Sequence, residues 1–201
     1  MSDRFANLKK IPDQPAMRLL AAANTKLQTK TELPASAGVP AVLAELEKAG
    51  AFVEMLRLMS VALPGRERVW WACLAGRDII GPDAAEVPLT LSTAEHWVRR
   101  PGDETQAAVK QALDAADTDD DLTLCAMTAL YADGTLGPGE MKEMSAPPGG
   151  AAAAAFGMNI MALQKLGLPI PEAADVLIDR ALDIARGGNG KPKGATTTAE
   201  G

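Results

Sequence analysis

Glycine and proline residues divide this 201-residue chain into short apolar segments, and that division constrains its fold more than any other feature. The segments are rich in Ala, Leu and Met, which favour helices, whereas aromatic residues, which favour strands, make up only 3% of the chain. Between Gly50 and Pro64, for example, Phe52, Met55 and Met59 recur at helical spacing. The sequence therefore predicts an all-α protein with essentially no β-sheet.

The breaks between segments predict a single-domain bundle of about eight or nine helices of roughly 10–16 residues, joined by short loops. Stacked antiparallel helix pairs are one arrangement that fits this pattern. We expect residues 1–13 to form a flexible N-terminal arm, residues 14–188 the helical domain and residues 189–201 a disordered C-terminal tail. Residues 1–12 and 189–201 lack an apolar face, so we expect both to pack on nothing. The predicted helices are 14–23, 41–49, 51–63, 66–80, 92–100, 104–117, 122–131, 151–166 and 171–187.

Several predicted helix ends carry a recognisable signal. Gly50 stands where a C-terminal glycine cap belongs, and Pro64 suits the first turn of the helix that follows it. Ser92, with Glu95 three residues later, predicts a capping box. Asp103 predicts the N-cap of the next helix.

Charge and the chain's first residues limit its partners and its compartment. A net charge of −6 argues against binding to nucleic acid, because an acidic surface repels phosphates. The N-terminus lacks the apolar core of a signal peptide, and no segment approaches the ~20 apolar residues of a membrane span. Two distant cysteines suit a reducing compartment. We therefore expect a cytoplasmic protein with no nucleic-acid and no membrane partner.

The residue types that carry most enzyme chemistry are sparse. His96 is the single histidine of the chain, and its helical neighbours predict a packed or partly exposed structural residue. Cys73 and Cys125 each lie in an apolar helix, where burial makes a thiol inert. We therefore expect no catalytic residues and no cofactor, and we predict that the protein is not an enzyme.

Two acidic segments resemble calcium loops without completing one. A loop that began at Asp117 and used Asp119–Asp121 would hold Leu122 and Thr128 where glycine and glutamate are needed. A second partial loop ends at Glu140 but lacks its first two carboxylates. Helix capping and a Gly/Pro loop are the better interpretations, so we predict no metal dependence.

The most distinctive local feature is a pair of tryptophans in the helix after Pro64. Trp70 and Trp71 point about 100° apart on a helix, so they cannot face one core equally. Trp70 lies beside an apolar stripe, and we expect it to be largely buried. Trp71 shares its side with Glu67, so it is either covered by another segment or exposed as an anchor for a partner. Arg66 is placed to stack on Trp70, which makes Arg66, Glu67, Trp70 and Trp71 the candidate partner-binding residues.

This segment also carries a family resemblance. Together with weaker downstream likenesses, it resembles a bacterial domain family of unknown function that is often encoded beside type VI secretion genes. The likeness covers roughly residues 50–188. It rests on Ala62-Leu63-Pro64, Arg66-Glu67 and Val69-Trp70-Trp71-Ala72-Cys73, and then on Ala94-Glu95 with Trp97, Gly134-Thr135-Leu136 with Pro138, and Asp183 to Gly188.

The resemblance implies that the protein works with a type VI secretion system. We therefore expect a non-catalytic interaction protein, an accessory or adaptor whose protein partner is a secretion cargo or a spike component. The alternative is an immunity protein whose acidic surface masks a basic toxin. A third hypothesis is an enzyme whose carboxylates come together only in the fold.

Overall fold

The computed structural model describes residues 3–191 of the chain, and nine α-helices make up most of that part. Two 3-10 helices, Asp3–Phe5 and Gly139–Glu143, are the other helical elements there. The α-helices are α1 Ala16–Ala22, α2 Val39–Lys48, α3 Phe52–Ala62, α4 Gly65–Ile80, α5 Leu89–Arg99, α6 Asp103–Asp114, α7 Thr123–Leu130, α8 Gly150–Lys165 and α9 Ile170–Arg186.

The predicted all-α class is confirmed. Residues 3–191 contain no strand, and their extended pairing is limited to two isolated bridges, Pro15 with Gly38 and Thr135 with Ser145. Helix bounds also follow the predicted breaks closely, because Gly and Pro interrupt the apolar segments on both sides. Gly50, for instance, follows α2 with a φ of 64°, a left-handed conformation that suits glycine.

Helix α4 lies at the centre of the bundle, where it packs against α5, α7, α8 and α9. Small residues allow this crowding. The buried face of α8 contains four alanines among residues 151–155, so α8 approaches α4 closely. A Cβ atom added to Gly76 in α4 would lie 2.9 Å from Cys125 Sγ in α7. Helix α4 is therefore enclosed by other helices along most of its length.

The predicted capping box at Ser92 is wrong. Helix α5 begins at Leu89, directly after Pro88, and Ser92 lies within it. The Ser92 hydroxyl donates to the carbonyl oxygen of Leu89 at 3.3 Å and caps nothing. Proline fixes φ near the helical value and is well suited to open a helix, so the Pro88 signal overrode the weaker capping motif. Asp103 similarly is the first residue of α6 and makes no N-cap hydrogen bond.

The N-terminal segment packs on the helical domain, contrary to the prediction. Phe5 and Leu8 belong to the hydrophobic core, with 3% and 9% of their surface exposed. Arg4 forms ion pairs with Glu47 of α2 and with Asp175 and Asp179 of α9. Two isolated apolar residues therefore anchor the N-terminal segment, which has no recognisable pattern in the sequence. The half-buried Arg4 joins this segment to α2 and α9 by its ion pairs.

The first residues after α9 are also held. Asp183 Oδ2 accepts a hydrogen bond from the Gly190 backbone N–H at 2.8 Å. Gly190 is buried against Leu74 and Ile184, and a Cβ there would lie 2.7 Å from Leu74 Cδ1. The expectation that the tail packs on nothing is therefore wrong for 189–190. Residues 192–201 lie outside the described residues.

Candidate functional site

The candidate residues lie in the first two turns of α4. Pro64 ends an extended connection with a φ of −59°, and the helix begins at Gly65. Gly65 is required there by packing, because a Cβ on it would lie 2.6 Å from the carbonyl oxygen of Ala132, which follows α7. The close approach of α4 to this carbonyl fixes where Arg66, Glu67 and the two tryptophans point.

Trp71 is not an exposed anchor. Its side chain is fully buried, and its indole Nε1 donates to the backbone oxygen of Leu177 in α9 at 3.0 Å. Of the two alternatives for this residue, the structure therefore shows the covered one. Two charged residues, Glu67 and Asp78, lie on the same side of α4 as Trp71. Each has an ion-pair partner, so neither carries an unpaired charge beside the buried ring. Lys10 Nζ lies 3.1 Å from Glu67 Oε1, and Arg180 NH2 donates to Asp78 Oδ1 at 3.0 Å.

Trp70 is the more exposed of the two, and it is half-buried where the sequence predicted a largely buried residue. The indole is half-buried, and its Nε1 donates to the backbone oxygen of Asn189 at 2.8 Å. This hydrogen bond fixes the edge of the ring against the residues that follow α9. The ring packs against the hydrophobic core and also lines a cavity.

This cavity, which we call the Trp70 pocket, has a volume of about 350 Å³. It lies where the start of α4 meets the ends of α5 and α9, with the N-terminal segment along one side. Three of the four candidate residues meet in it, and Trp71 does not. The lining residues are Lys10, Arg66, Glu67, Trp70, Val98, Arg99, Ile184, Gly187 and Gly188.

The Trp70 pocket is cationic in an acidic protein. Lys10, Arg66 and Arg99 line it together with one carboxylate, that of Glu67, although the chain carries a net charge of −6. Arg66 is exposed and is oriented by a hydrogen bond from its Nε to the carbonyl oxygen of Val98, 2.7 Å away. The Arg99 side chain is 70% exposed. The local potential should therefore attract anions.

An ion pair between α4 and α5 lies one helical turn from Arg99. Glu95 is 5% exposed, and Arg77 of α4 binds both of its carboxylate oxygens, at 2.7 and 2.6 Å. The hydrogen bonds to Glu95 raise the pKa of Arg77, so Arg77 stays charged. Arg99 NH2 lies 3.7 Å from the same carboxylate, which Arg77 already engages. The Arg99 guanidinium therefore keeps hydrogen-bonding capacity toward the pocket.

The comparison with known families finds a family of unknown function, and this is the part of the expected resemblance that it supports. The chain matches DUF6931, a family of unknown function, over residues 42–185. The match runs from α2 to the last turn of α9 and covers most of the chain. The chain belongs to the DUF6931 family. No curated protein and no solved structure matches it.

The DUF6931 match includes most of the Trp70 pocket. Arg66, Trp70, Arg99 and Ile184 lie within the matched residues, whereas Lys10 and Gly188 lie outside them. The wall formed by the N-terminal segment is therefore an addition to the family region. Lys10 is held there by its backbone N–H, which donates to the carbonyl oxygen of Ala185 at 2.8 Å.

The histidine, the two cysteines and the acidic run of this DUF6931 chain lie away from the Trp70 pocket lining. His96 is exposed on α5. Cys73 and Cys125 are buried and free, and burial raises the pKa of the Cys73 thiol. The predicted capping role of the acidic run is wrong, because Leu122 is the N-cap of α7 and no side chain caps that helix. Asp120 instead accepts hydrogen bonds from the Leu122 backbone N–H and the Thr90 hydroxyl, at 2.8 and 2.7 Å.

The part of the chain that the structure describes holds no group of three or more His, Cys, Asp or Glu side chains arranged for a metal ion. In the partial calcium loop, Asp133 Oδ1 instead accepts hydrogen bonds from the backbone N–H and the hydroxyl of Thr135, at 3.0 and 2.8 Å. Across residues 3–191, no helix combines the length and apolar character needed to cross a membrane.

Proposed function

We propose that this DUF6931 protein is a non-catalytic binding protein that acts as an accessory or adaptor of a bacterial type VI secretion system. In this proposal the Trp70 pocket receives the protein partner. The observation that carries the proposal is the meeting of Arg66, Glu67 and Trp70 in one pocket. These residues belong to the segment whose pattern predicts partner binding, and the fold places an apolar floor beside them.

The composition of the pocket suits a protein partner. Trp70, Val98 and Ile184 supply an apolar floor, and the exposed guanidinium groups of Arg66 and Arg99 form a charged rim. Protein interfaces commonly have an apolar centre and a polar rim. Tryptophan and arginine are also the residue types most enriched among those that dominate binding energy.

The chemistry of the pocket favours binding over catalysis. Among the residues that line it, Glu67 is the one carboxylate, and Lys10 pairs with it at 3.1 Å. General acid–base catalysis by carboxylates commonly uses two groups whose pKa values are pushed apart by their surroundings. The two buried thiols lie outside the lining of the pocket, so the lining offers no cysteine nucleophile.

The secretion context rests on the family resemblance of residues 62–73. Between the two binding hypotheses, the charge of the pocket favours an adaptor. An immunity protein that masks a basic toxin needs an acidic binding surface, whereas the Trp70 pocket presents three cationic side chains and one acidic one. A pocket of this sign suits a partner with acidic residues at its binding segment.

The proposal is tested by deletion and complementation in the bacterium that carries the gene. Deletion should reduce export of a type VI cargo or spike component, and the wild-type gene should restore it. The double variant Arg66→Glu with Arg99→Glu should fail to restore export. Arg18→Glu, a single charge reversal at an exposed residue of α1, should restore it fully. Each variant protein should first be shown to melt like the wild type.

A photo-crosslinking amino acid at position 99 identifies the partner directly, with the same group at position 18 as the control. The proposal requires a secretion component that crosslinks at 99 and not at 18. Normal export from the deletion strain would overturn it. Killing of that strain by toxin-bearing sister cells, with export intact, would establish the immunity role instead.

A further inference from the structure

We infer that the ligand of the Trp70 pocket is a short acidic peptide segment that carries one large apolar side chain. This inference rests on the proposed function and specifies the chemistry of the partner. Its carboxylates would engage Arg66 and Arg99, and its apolar side chain would lie on the Trp70 ring.

The cationic groups are placed to bind carboxylates. Arg66 uses its Nε to bind the Val98 carbonyl, which fixes the guanidinium, and no carboxylate among residues 3–191 forms an ion pair with it. Arg99 is 3.7 Å from a Glu95 carboxylate that already binds Arg77 at both oxygens. A guanidinium presents five N–H donors in a planar fork that matches a carboxylate. Both arginines therefore have donors available at the rim.

The apolar part of the pocket is sized for one side chain. Val98 and Ile184 are 9% and 2% exposed and form a firm floor beside the half-buried Trp70 ring. The Trp70 N–H already donates to Asn189, so the contact that Trp70 can make with a ligand in the pocket is an apolar one. The volume of about 350 Å³ lies at the low end of the ~300–1,000 Å³ that ligand pockets span. One aromatic or long aliphatic side chain, with adjoining carboxylates, suits this space.

The Trp70 pocket is lined by cations, whereas the whole protein is acidic. This difference favours a short acidic peptide over an extended polyanion as the ligand. At physiological ionic strength charges are screened beyond about 8 Å, so a peptide in the pocket senses mainly the cations that line it. Nucleic acid or an anionic membrane would also face the rest of a protein with a net charge of −6. An acidic peptide segment is therefore the favoured occupant.

Glu67 provides a distinctive test of this chemistry. Its carboxylate lies in the pocket, where it neutralises Lys10 and repels an anionic ligand. Replacing it with glutamine keeps the shape of the side chain, removes the negative charge and releases Lys10 for the ligand. Glu67→Gln should therefore tighten binding of an acidic peptide by up to about fivefold, an effect of the size measured for charge pairs near a protein surface.

Intrinsic fluorescence can report the binding. The chain has three tryptophans, of which Trp71 and Trp97 are 0% and 7% exposed, so an added peptide should mainly perturb Trp70. The full-length protein is titrated with the blocked peptide Asp-Glu-Phe-Glu-Asp, with the same peptide carrying Ala for Phe, and with Lys-Lys-Phe-Lys-Lys. Isothermal titration calorimetry measures the same affinities for Trp70→Phe, which lacks the indole signal.

The inference expects saturable binding of the acidic Phe peptide that weakens with salt. The Ala peptide should bind about tenfold more weakly, and the lysine peptide should not bind. Arg66→Met and Arg99→Glu should each weaken the interaction, Glu67→Gln should strengthen it, and Arg18→Glu should leave it unchanged. No binding, equal binding of the lysine peptide, or preferential binding of oligonucleotides or phosphatidylserine vesicles would overturn the inference.

The two proposals can fail separately. A secretion component that crosslinks at position 99, in a protein that ignores acidic peptides, would refute the inferred ligand chemistry and leave the adaptor function standing. Acidic peptides that bind in the pocket of a protein whose deletion leaves export unchanged would refute the adaptor function and support the ligand chemistry.

Discussion

The indole Nε1 of Trp71 donates a hydrogen bond to the backbone oxygen of Leu177, 3.0 Å away in the middle of α9. This contact joins the central helix α4 to α9 by a side chain that is fully buried. The adjacent Trp70 reaches the residues beyond α9 by a similar bond to Asn189. The two indoles therefore fix one helix against two successive parts of the chain, and they differ in burial.

Truncation of the two tryptophans should separate their roles. Trp71→Ala should lower the free energy of unfolding by about 3–5 kcal/mol, because it removes a large core side chain. Trp71→Phe keeps most of the apolar surface and should cost less. Trp70→Ala should cost clearly less than Trp71→Ala, since its ring is half-buried. Urea unfolding followed by circular dichroism measures all three. A larger cost for Trp70→Ala would contradict the structure.

The N-terminal segment should contribute to stability. Phe5→Ala should lower the free energy of unfolding by about 3 kcal/mol, because Phe5 is part of the core. Arg4→Ala should also destabilise the protein, since it leaves Glu47 and Asp175 without their cation. Arg18→Ala, at an exposed position of α1, is the control and should change little. Thermal and urea unfolding measure the effects, and a neutral Phe5→Ala would restore the flexible-arm prediction.

The helix bounds could be predicted from sequence because they depend on local chemistry. The predicted helix 66–80 and the observed α4, Gly65–Ile80, differ by one residue, since Pro64 and Gly81 interrupt the segment. The N-terminal segment could not be predicted in the same way. Phe5 and Leu8 have no periodic partners nearby, and their burial depends on surfaces contributed by distant helices.

The candidate site could be predicted only in part. Arg66, Glu67 and Trp70 were candidates because they are neighbours in sequence, but Lys10 and Arg99 reach the pocket from other segments. The half-buried state of Trp70, predicted to be largely buried, likewise depends on segments that are distant in sequence. Whether Trp71 is covered or exposed could not be decided from the sequence, because Lys10 and Arg180, the distant ion-pair partners of its charged neighbours, give no local signal.

Arg68 should be a structural cation. Its guanidinium donates to the carbonyl oxygens of Ser60, Val61 and Leu63 at 2.6, 3.1 and 2.7 Å, at the C-terminal end of α3. Burial lowers the pKa of Arg68 to about 10, so it stays charged at pH 7. Arg68→Ala should cost about 2–3 kcal/mol in urea unfolding, because these acceptors lose their donors at the negative end of a helix dipole. Arg68→Lys should recover part of the loss, and equal stability of Ala and wild type would refute the role.

The two cysteines should be inert in the folded protein. Cys73 and Cys125 are buried, and burial raises the pKa of the Cys73 thiol, which disfavours the reactive thiolate. A thiol reagent such as DTNB at pH 8 should therefore react only on the timescale of unfolding. In guanidinium chloride both thiols should react at once, which provides the internal control. Rapid reaction of either thiol in the native protein would show that the α4–α7 contact opens.

Two glycine substitutions test whether the start of α4 is fixed by packing. A Cβ on Gly65 would lie 2.6 Å from the backbone oxygen of Ala132, whereas a Cβ on Gly102 would meet nothing within 4 Å. Alanine in a helix gains about 0.5–1 kcal/mol over glycine, but forcing an atom into a packed site costs about 1–3 kcal/mol. Gly65→Ala should therefore destabilise the protein by about 1–2 kcal/mol, by the difference of these two effects.

Gly102→Ala is the matched control for this substitution. Gly102 precedes α6 in an extended conformation with a φ of 167°, which alanine also adopts. Because Gly102 is the N-cap of α6, where glycine is favoured over alanine, its replacement should cost about 0.5–1 kcal/mol, less than that of Gly65. Because the contact of Gly65 with Ala132 positions the first turns of α4, Gly65→Ala should also weaken acidic-peptide binding, and Gly102→Ala should not. Equal urea midpoints and equal peptide affinities for the two variants would show that this contact fixes neither the helix nor the Trp70 pocket.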